Sequence, residues 1–258
     1  MRPTKLVMLH CPKAAGTSVS TYLGAFFKNK TDLPAASFRL SDESKWPNYK
    51  AFDFIHGHCG YDLVRYLGAE FQCVTSFRHP VARLASLYNF WRNDTIESQV
   101  AEVVSEKNPP PHKIAQHLAH ELSFSEWVAS DENAVTMYTR NAHTRQILRN
   151  WWTPKDLSWF DMEIVKHRIR KMPWFYIAEL QADSMRLLDV AFGKAITKPD
   201  LGRENVTTYA RKPQTSPTAK DAEVIARYNA ADILIYNYAL KRQKSAAALM
   251  SRSSLAAG

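Results

Sequence analysis

The chain has 258 residues, of which 45% are hydrophobic, so it has enough apolar material for one soluble domain with a full core. Lysine and arginine outnumber aspartate and glutamate by 34 to 25, and the net charge of +9 favours an anionic partner such as a nucleotide, an acidic sugar, a nucleic acid or a membrane surface. Three cysteines without a CxxC pair suit a reducing cytosol better than a secreted disulfide scaffold, and no apolar run reaches roughly 18 residues. We therefore expect a soluble, cytoplasmic protein.

The first predicted unit is a buried strand, a turn and a helix. Residues 5–9 contain consecutive apolar side chains without alternation, which is typical of a strand covered on both faces in a parallel sheet. The helix is expected to begin near Thr17 and Ser18, whose hydroxyls can cap its N–H groups. Lys13 and Gly16 lie in the turn between them. An ammonium beside a helix start predicts an anion site, and a plain capped turn is the structural alternative.

The rest of the chain predicts alternating strands and helices with irregular connections. The expected strands cover residues 51–56, 71–77 and 174–178, the expected helices cover 61–67, 81–91, 113–128, 134–150, 159–171, 181–192 and 218–242, and 29–50 and 194–217 are expected to be loops. This alternation predicts a single α/β domain over residues 1–244, followed by a disordered tail from residue 245. The expected architecture is a P-loop-like three-layer domain in which helices flank a central, mainly parallel sheet.

A second strand–turn–helix unit ends its strand at Arg78. A kinase or ATPase needs a carboxylate near such a strand end to hold Mg²⁺, and its phosphate-loop lysine directly follows the second glycine, whereas Lys13 precedes Gly16 by three residues. The cation at Arg78 favours direct contact with a further phosphate, with Ser86 as a candidate partner eight residues later. A P-loop kinase is the first alternative function, and a non-enzymatic basic module that binds polyanions or nucleic acid is the second.

Two segments, HCPKAAGTS at 10–18 and SFRHPVARLASLY at 76–88, resemble the cofactor segments of sulfotransferases that use 3′-phosphoadenosine 5′-phosphosulfate (PAPS). The resemblance implies that the first segment holds the 5′-phosphosulfate and the second the 3′-phosphate. The chain is most similar to the carbohydrate branch that includes the heparan sulfate 2-O-sulfotransferases, because residues 54–58 resemble its His-Gly-His turn. A basic stretch before Thr215 resembles the segment that closes over the nucleotide. The implied cofactor-binding residues are Lys13, Ala15, Gly16, Thr17, Ser18, Arg78, Ser86, Arg211 and Lys212.

The predicted reaction is in-line transfer of a sulfuryl group from PAPS to a hydroxyl of a carbohydrate or glycoconjugate, without a metal, a nucleic acid partner or a membrane span. His58 is the predicted general base, since a neutral imidazole with a pKa near ~6.5 can take the hydroxyl proton. Lys13 is expected to neutralise charge on the leaving bisphosphate. His56 is expected to orient His58, bind the acceptor or act as the base itself. The alternatives for this histidine pair are a structural hydrogen-bonded pair and a zinc site with Cys11 or Cys59.

Two further sets of residues are weaker candidates for acceptor contacts. Arg140, Asn141, Thr144 and Arg145 predict a polar helix face that either lines an acceptor cleft or is a solvated basic surface. Trp91, Trp151 and Trp152 are candidate sugar platforms, with core packing as the default expectation.

Overall fold

A computed structural model of the chain describes residues 5–33, 48–94, 102, 107–150, 155–193 and 214–256. Over these ranges the protein is an α/β domain with a five-stranded, all-parallel sheet in the order β2-β3-β1-β4-β5. The strands are β1 (Lys5–Leu9), β2 (Lys30–Leu33), β3 (Phe54–Gly57), β4 (Phe71–Phe77) and β5 (Tyr176–Ile177). The predicted fold class is confirmed.

Helices cover the sheet. They are α1 (Gly16–Gly24), α2 (Tyr61–Leu67), α3 (Pro80–Asp94), α4 (Pro111–Glu121), α5 (Phe124–Ala129), α6 (Asn133–Thr139), α7 (Ala142–Leu148), α8 (Trp159–Lys171), α9 (Gln181–Phe192), α10 (Ala219–Tyr228) and α11 (Ala230–Ala256). Within the described ranges, no helix combines the length and hydropathy that crossing a bilayer requires.

Strand β1 explains why its sequence is apolar without alternation. Val7 and Leu9 belong to one core cluster, which also contains side chains of α2, α8 and α11. Leu6 and Met8 belong to another, together with side chains of α1 and α9. Because neighbouring side chains of a strand point to opposite faces, β1 is buried on both sides of the sheet. This is the three-layer arrangement that the sequence predicts.

A third core cluster joins α3 to α4, α5, α6 and α10. Trp91 of α3 is 5% exposed and contacts the Trp127 ring edge to face, with ring centroids 5.7 Å apart. Trp91 is therefore a core residue, as its default interpretation holds, and not a sugar platform. Trp151 and Trp152 lie outside the described residues.

Strand boundaries differ from the prediction at three places. Residues 30–33, expected to be part of a loop, form the edge strand β2, in which three polar side chains precede a single buried apolar residue, Leu33. The strand expected over 51–56 begins at Phe54, because residues 49–51 form a short 3-10 turn. The strand expected over 174–178 is reduced to Tyr176–Ile177.

Several predicted helices are divided or displaced by capping residues. The helix expected over 113–128 is interrupted at Ser123, whose side chain and that of Glu126 form a capping box that starts α5. The helix expected over 218–242 is divided at Asn229, after which α11 continues to Ala256. Residues 245–256, expected to be disordered, are thus part of a helix in this structure.

A buried polar network fixes α7 and α11 beside α3. One carboxylate oxygen of Asp232 accepts hydrogen bonds from the backbone N–H and the hydroxyl of Thr144, both at 2.7 Å. The other accepts from the His143 backbone at 3.3 Å and lies 3.8 Å from Nη2 of Arg83. Arg83 and Asp232 are 1% and 2% exposed, so this ion pair is within the core.

The network corrects the interpretation of Asn141, Thr144 and Arg145 as a solvated basic face or an acceptor cleft, whereas Arg140 is partly exposed and pairs with the exposed Asp131. Thr144 and Arg145 are buried, and Nη2 of Arg145 donates to the backbone carbonyl of Met137 at 2.8 Å. Asn141 accepts from the backbone N–H groups of Ala231 and Asp232, both at 3.1 Å. These side chains hold helices together.

The buried Asp232 carboxylate is expected to contribute strongly to the stability of the fold. We expect Asp232→Asn to lower the free energy of unfolding by about 3–5 kcal/mol, because it leaves the buried Arg83 charge without its counterion and turns an amide toward backbone donors. Urea unfolding measures the loss. The matched control is Asp131→Asn, since Asp131 pairs with Arg140 at 2.5 Å but is 88% exposed and should change stability by less than about 1 kcal/mol. Equal losses of stability in the two variants would contradict the role of Asp232 as the buried counterion of Arg83.

Candidate functional site

The candidate site lies at the carboxyl ends of the three central strands. The loop after β1 contains Lys13, His58 follows β3, and Arg78 follows β4. The chain runs from β1 to β2 and β3 on one side and then crosses to β4 and β5 on the other. Ligands of open α/β sheets bind at such a switch point, outside the carboxyl ends of the strands.

Residues 11–15, between β1 and α1, form a loop with the backbone of an anion-binding turn, the anion loop. Among the described residues, Lys13, Ala15 and Asn141 are the non-glycine residues with a positive φ, and Lys13 (63°) and Ala15 (67°) are both in this loop. A positive φ costs conformational free energy in a residue with a side chain, and such residues cluster at functional sites. When left- and right-handed residues alternate, their successive backbone N–H groups point into one concavity, which can bind an anion. The loop is therefore held in a shape that suits an anion.

The start of α1 differs from the prediction in one respect. Ala15 is its N-cap residue, and no side chain caps the helix. The expectation that Thr17 and Ser18 cap it is wrong: Thr17 is an exposed residue, and both lie inside the first turn. An uncapped first turn presents backbone N–H groups at the positive end of the helix dipole, which is the usual environment of a phosphate or sulfate.

Gly16 is required at the first position of α1 because the ring of His10 lies directly against it. A Cβ on residue 16 would lie 1.9 Å from Cδ2 of His10 and 2.4 Å from its Nε2. The backbone N–H of His10 donates to the carbonyl of Gly57 at 2.9 Å, which connects the ends of β1 and β3. His10 is thus fixed between the anion loop and the His-Gly-His turn.

His58 is held in the tautomer that a general base requires. Its Nδ1 lies 2.8 Å from the carbonyl oxygen of His10, and a carbonyl can only accept, so Nδ1 carries the hydrogen. The basic lone pair of the neutral ring is then on Nε2. Burial lowers the pKa of His58 below its ordinary value of 6.5, while the hydrogen bond to His10 and the charge of Asp32 act in the opposite direction. His58 is accordingly a neutral imidazole at neutral pH.

His56 has a different environment. Its Nδ1 lies 3.4 Å from a carboxylate oxygen of Asp32 on β2, and its ring stacks on Phe54 with centroids 5.2 Å apart. Burial lowers the pKa of His56, the Asp32 carboxylate raises it and Lys30 lowers it. The structure separates the two histidines: His58 is bonded to the end of β1, whereas His56 is paired with the edge strand.

The described residues do not favour the alternative of a zinc site at the histidine pair. No group of three His, Cys, Asp or Glu side chains in those ranges is arranged to hold a metal ion. Burial raises the pKa of the Cys11 and Cys59 thiols to about 12 each, so both remain protonated at neutral pH. The two cysteines are buried structural thiols.

Arg78 connects the second segment to the first. Its Nη1 donates to the backbone carbonyl of Lys13 at 3.3 Å. Burial lowers the pKa of Arg78, and the nearby Glu179 carboxylate opposes that shift. Glu179 follows β5, and its Oε1 accepts from the backbone N–H of His79 at 2.9 Å, so it fixes the turn that carries Arg78. Sequence reasoning missed Glu179. Its position just after a parallel strand is the available signal, because residues there lie at the carboxyl ends of the strands, where ligands bind.

Lys13 and Ser86 both lie beside Phe90 of α3. Nζ of Lys13 is 4.0 Å from the centroid of the Phe90 ring. Ser86 is one helical turn before Phe90 and therefore on the same face of the helix. Lys13 therefore contacts the second segment through the Arg78 bond and lies against the face of α3 that carries Ser86.

The predicted basic closing segment is only partly described. Arg211 and Lys212 lie outside the described residues. Thr215, three residues after Lys212, is bonded to Asn89 of α3: its N–H donates to Oδ1, and its carbonyl accepts from Nδ2, both at 2.8 Å. The end of this stretch is therefore attached one turn from Ser86, at the helix that follows Arg78.

No protein-family model and no curated protein matches this chain. What the site can do is therefore inferred from its own geometry. That geometry combines a strained, uncapped anion loop, two cations that follow different strands, and a neutral imidazole whose tautomer is fixed by the carbonyl of His10, directly before the loop. Such a site can bind an anionic nucleotide and accept a proton beside it.

Proposed function

We propose that this protein is a PAPS-dependent sulfotransferase that moves a sulfuryl group to a hydroxyl of a carbohydrate or glycoconjugate. The observation that carries the proposal is the bond between Nδ1 of His58 and the carbonyl of His10, the residue directly before the anion loop. This bond joins a proton acceptor to the phosphosulfate-type loop. A phosphate loop alone would be equally consistent with many nucleotide-binding proteins.

The nucleotide half of the reaction requires cations at two separated phosphates. Lys13 and the first N–H groups of α1 suit the 5′-phosphosulfate, because a helix N-terminus and an ammonium together favour an anion. Arg78 and Ser86 suit the 3′-phosphate. Ser86 is six residues after the start of α3, which is roughly 9 Å along the helix at 1.5 Å per residue. The longer side chain of Arg78 has to span most of that distance.

The transfer step needs a base on one side of the sulfur and a cation on the other. Nε2 of His58 takes the proton of the acceptor hydroxyl as its oxygen forms a bond to sulfur. Lys13 stabilises the negative charge that develops on the bridging oxygen as its bond to sulfur breaks and the electron pair stays with the 5′-phosphate. The products are a sulfate ester, adenosine 3′,5′-bisphosphate and a proton held first by His58. His56, paired with Asp32, is suited to contact the acceptor.

A metal-dependent kinase fits the described residues less well. The carboxylate beside the β4 end, Glu179, accepts a hydrogen bond from the His79 backbone and contacts Tyr236. Glu179 therefore stabilises the turn after β4, whereas a kinase would use a carboxylate near this position to bind Mg²⁺. A general polyanion-binding module would need neither the fixed tautomer of His58 nor two non-glycine residues with positive φ in one loop.

A thermal-shift comparison tests the nucleotide half of this proposal. At about one hundred times its dissociation constant, adenosine 3′,5′-bisphosphate should raise the melting temperature by about 5–10 °C. Adenosine 5′-monophosphate, which lacks the 3′-phosphate, should have a much smaller effect at the same concentration. A larger shift with ATP and Mg²⁺ would instead support a kinase, and equal, strongly salt-dependent shifts with all nucleotides would support a polyanion-binding module.

A further inference from the structure

The imidazole of His10 occupies the space between the anion loop and the proposed base. On one side it lies against Gly16, so closely that a single methyl group there would overlap its ring at 1.9 Å. On the other side it packs against the ring of His58, with centroids 4.5 Å apart and an interplanar angle of 35°. The same residue holds Nδ1 of His58 through its backbone carbonyl. His10 therefore contacts both halves of the site.

We propose that the side chain of His10 is a positioning residue that sets the distance between the anion loop and His58. The proposal rests on the proposed sulfotransferase function. In an in-line transfer the attacking oxygen, the sulfur and the leaving oxygen lie on one line, so the base and the loop must be a fixed distance apart. A rigid planar ring between them provides that distance. Its burial lowers the pKa of His10, so the spacer is neutral and adds no competing charge.

The first test separates positioning from binding. His10→Ala keeps the backbone carbonyl that bonds to His58 but removes the spacer. We expect kcat to fall by about 10- to 100-fold, because misplacement of about 1 Å costs this much in an oriented reaction. The dissociation constant for adenosine 3′,5′-bisphosphate should stay within about twofold, because the N–H groups of α1 and the cations are retained. A general structural defect would instead lower both kcat and nucleotide affinity.

A double-mutant cycle with Gly16→Ala tests the contact itself. In the wild-type background, Gly16→Ala should weaken binding of adenosine 3′,5′-bisphosphate, because the new methyl group and the His10 ring cannot both keep their places. In the His10→Ala background the methyl group has room. Gly16→Ala should then change nucleotide affinity little, so the two substitutions are strongly non-additive. Additive effects on the dissociation constant would overturn the spacer role.

These readouts distinguish the inference from the function on which it rests. If the wild-type protein transfers no sulfate, the proposed function fails, and the cycle on nucleotide affinity still tests whether the His10 ring holds the loop at Gly16. If the wild-type protein transfers sulfate and His10→Ala has wild-type kcat, the function stands and the positioning role is wrong. His10→Asn, which retains a smaller planar side chain, should give a kcat between wild type and His10→Ala. Melting temperatures of all variants establish that each is folded.

Discussion

His58→Asn should reduce turnover by about 10²- to 10⁴-fold and leave the affinity for adenosine 3′,5′-bisphosphate within about twofold of wild type. Asparagine retains an N–H donor that can reach the carbonyl of His10, so the variant keeps the hydrogen bond and loses only the basic nitrogen. Steady-state sulfate transfer and nucleotide titration measure the two quantities. The matched control is His56→Asn, which should raise KM for the acceptor more than it lowers kcat.

The pH dependence of turnover follows from the same residue. Burial lowers the pKa of His58 below its ordinary value of 6.5, so the neutral ring predominates at neutral pH. Turnover should be constant from pH 8 to 7 and be lost only as the pH falls through the lowered pKa, because protonated His58 cannot accept the hydroxyl proton. An acid limb that is unchanged in His58→Asn would show that another group is the base.

Lys13→Met and Arg78→Met should each weaken binding of adenosine 3′,5′-bisphosphate by about 10- to 100-fold, because each removes a charge-assisted contact to phosphate. Lys13→Met should also lower kcat, since the ammonium is proposed to act on the leaving oxygen. Arg78→Met additionally removes the bond to the Lys13 carbonyl and should loosen the loop. Isothermal titration measures the affinities.

The control for these substitutions is another loss of one positive charge. Arg186 lies on α9 with its side chain 62% exposed, and Arg186→Met should leave nucleotide affinity unchanged. If Arg186→Met weakened binding as much as Arg78→Met, the nucleotide would be attracted by the net charge of the protein and not by a specific contact with Arg78. Unchanged affinity in both Lys13→Met and Arg78→Met would contradict the assignment of the two phosphate positions.

The central strands and the anion loop are visible in the sequence for a physical reason. Strands β1 and β4 are buried on both faces, so nearly every residue is apolar or small, and each ends where the polar site begins. Strand β2 is at the sheet edge, and Leu33 is its single buried apolar residue, so its four residues carry no such pattern. The division of the last helix at Asn229 depends on hydrogen bonds with residues nearly ninety positions away, such as that to Asn141 at 3.0 Å. Such long-range contacts are not encoded in local periodicity.

Within the site, the sequence indicates the residue types but not their partners. Motif and chemistry predict Lys13, His58 and Arg78, and the structure brings their segments together at the carboxyl ends of the central strands. His10 and Glu179 were not candidates, because their roles depend on which strands are neighbours. For Arg145 the sequence predicts exposure or an acceptor contact, but the side chain is buried and donates to backbone carbonyls. A basic residue on a polar helix face does not reveal such burial in the sequence.

The most direct test of the proposed function is transfer of radiolabelled sulfate from PAPS to a panel of acidic and neutral saccharides, glycolipids and small alcohols. We expect acceptor-dependent label in at least one product, release of one adenosine 3′,5′-bisphosphate for each sulfate transferred, and loss of both in His58→Asn. Absence of transfer across the panel, together with no preferential binding of the 3′,5′-bisphosphate, would contradict the proposed function.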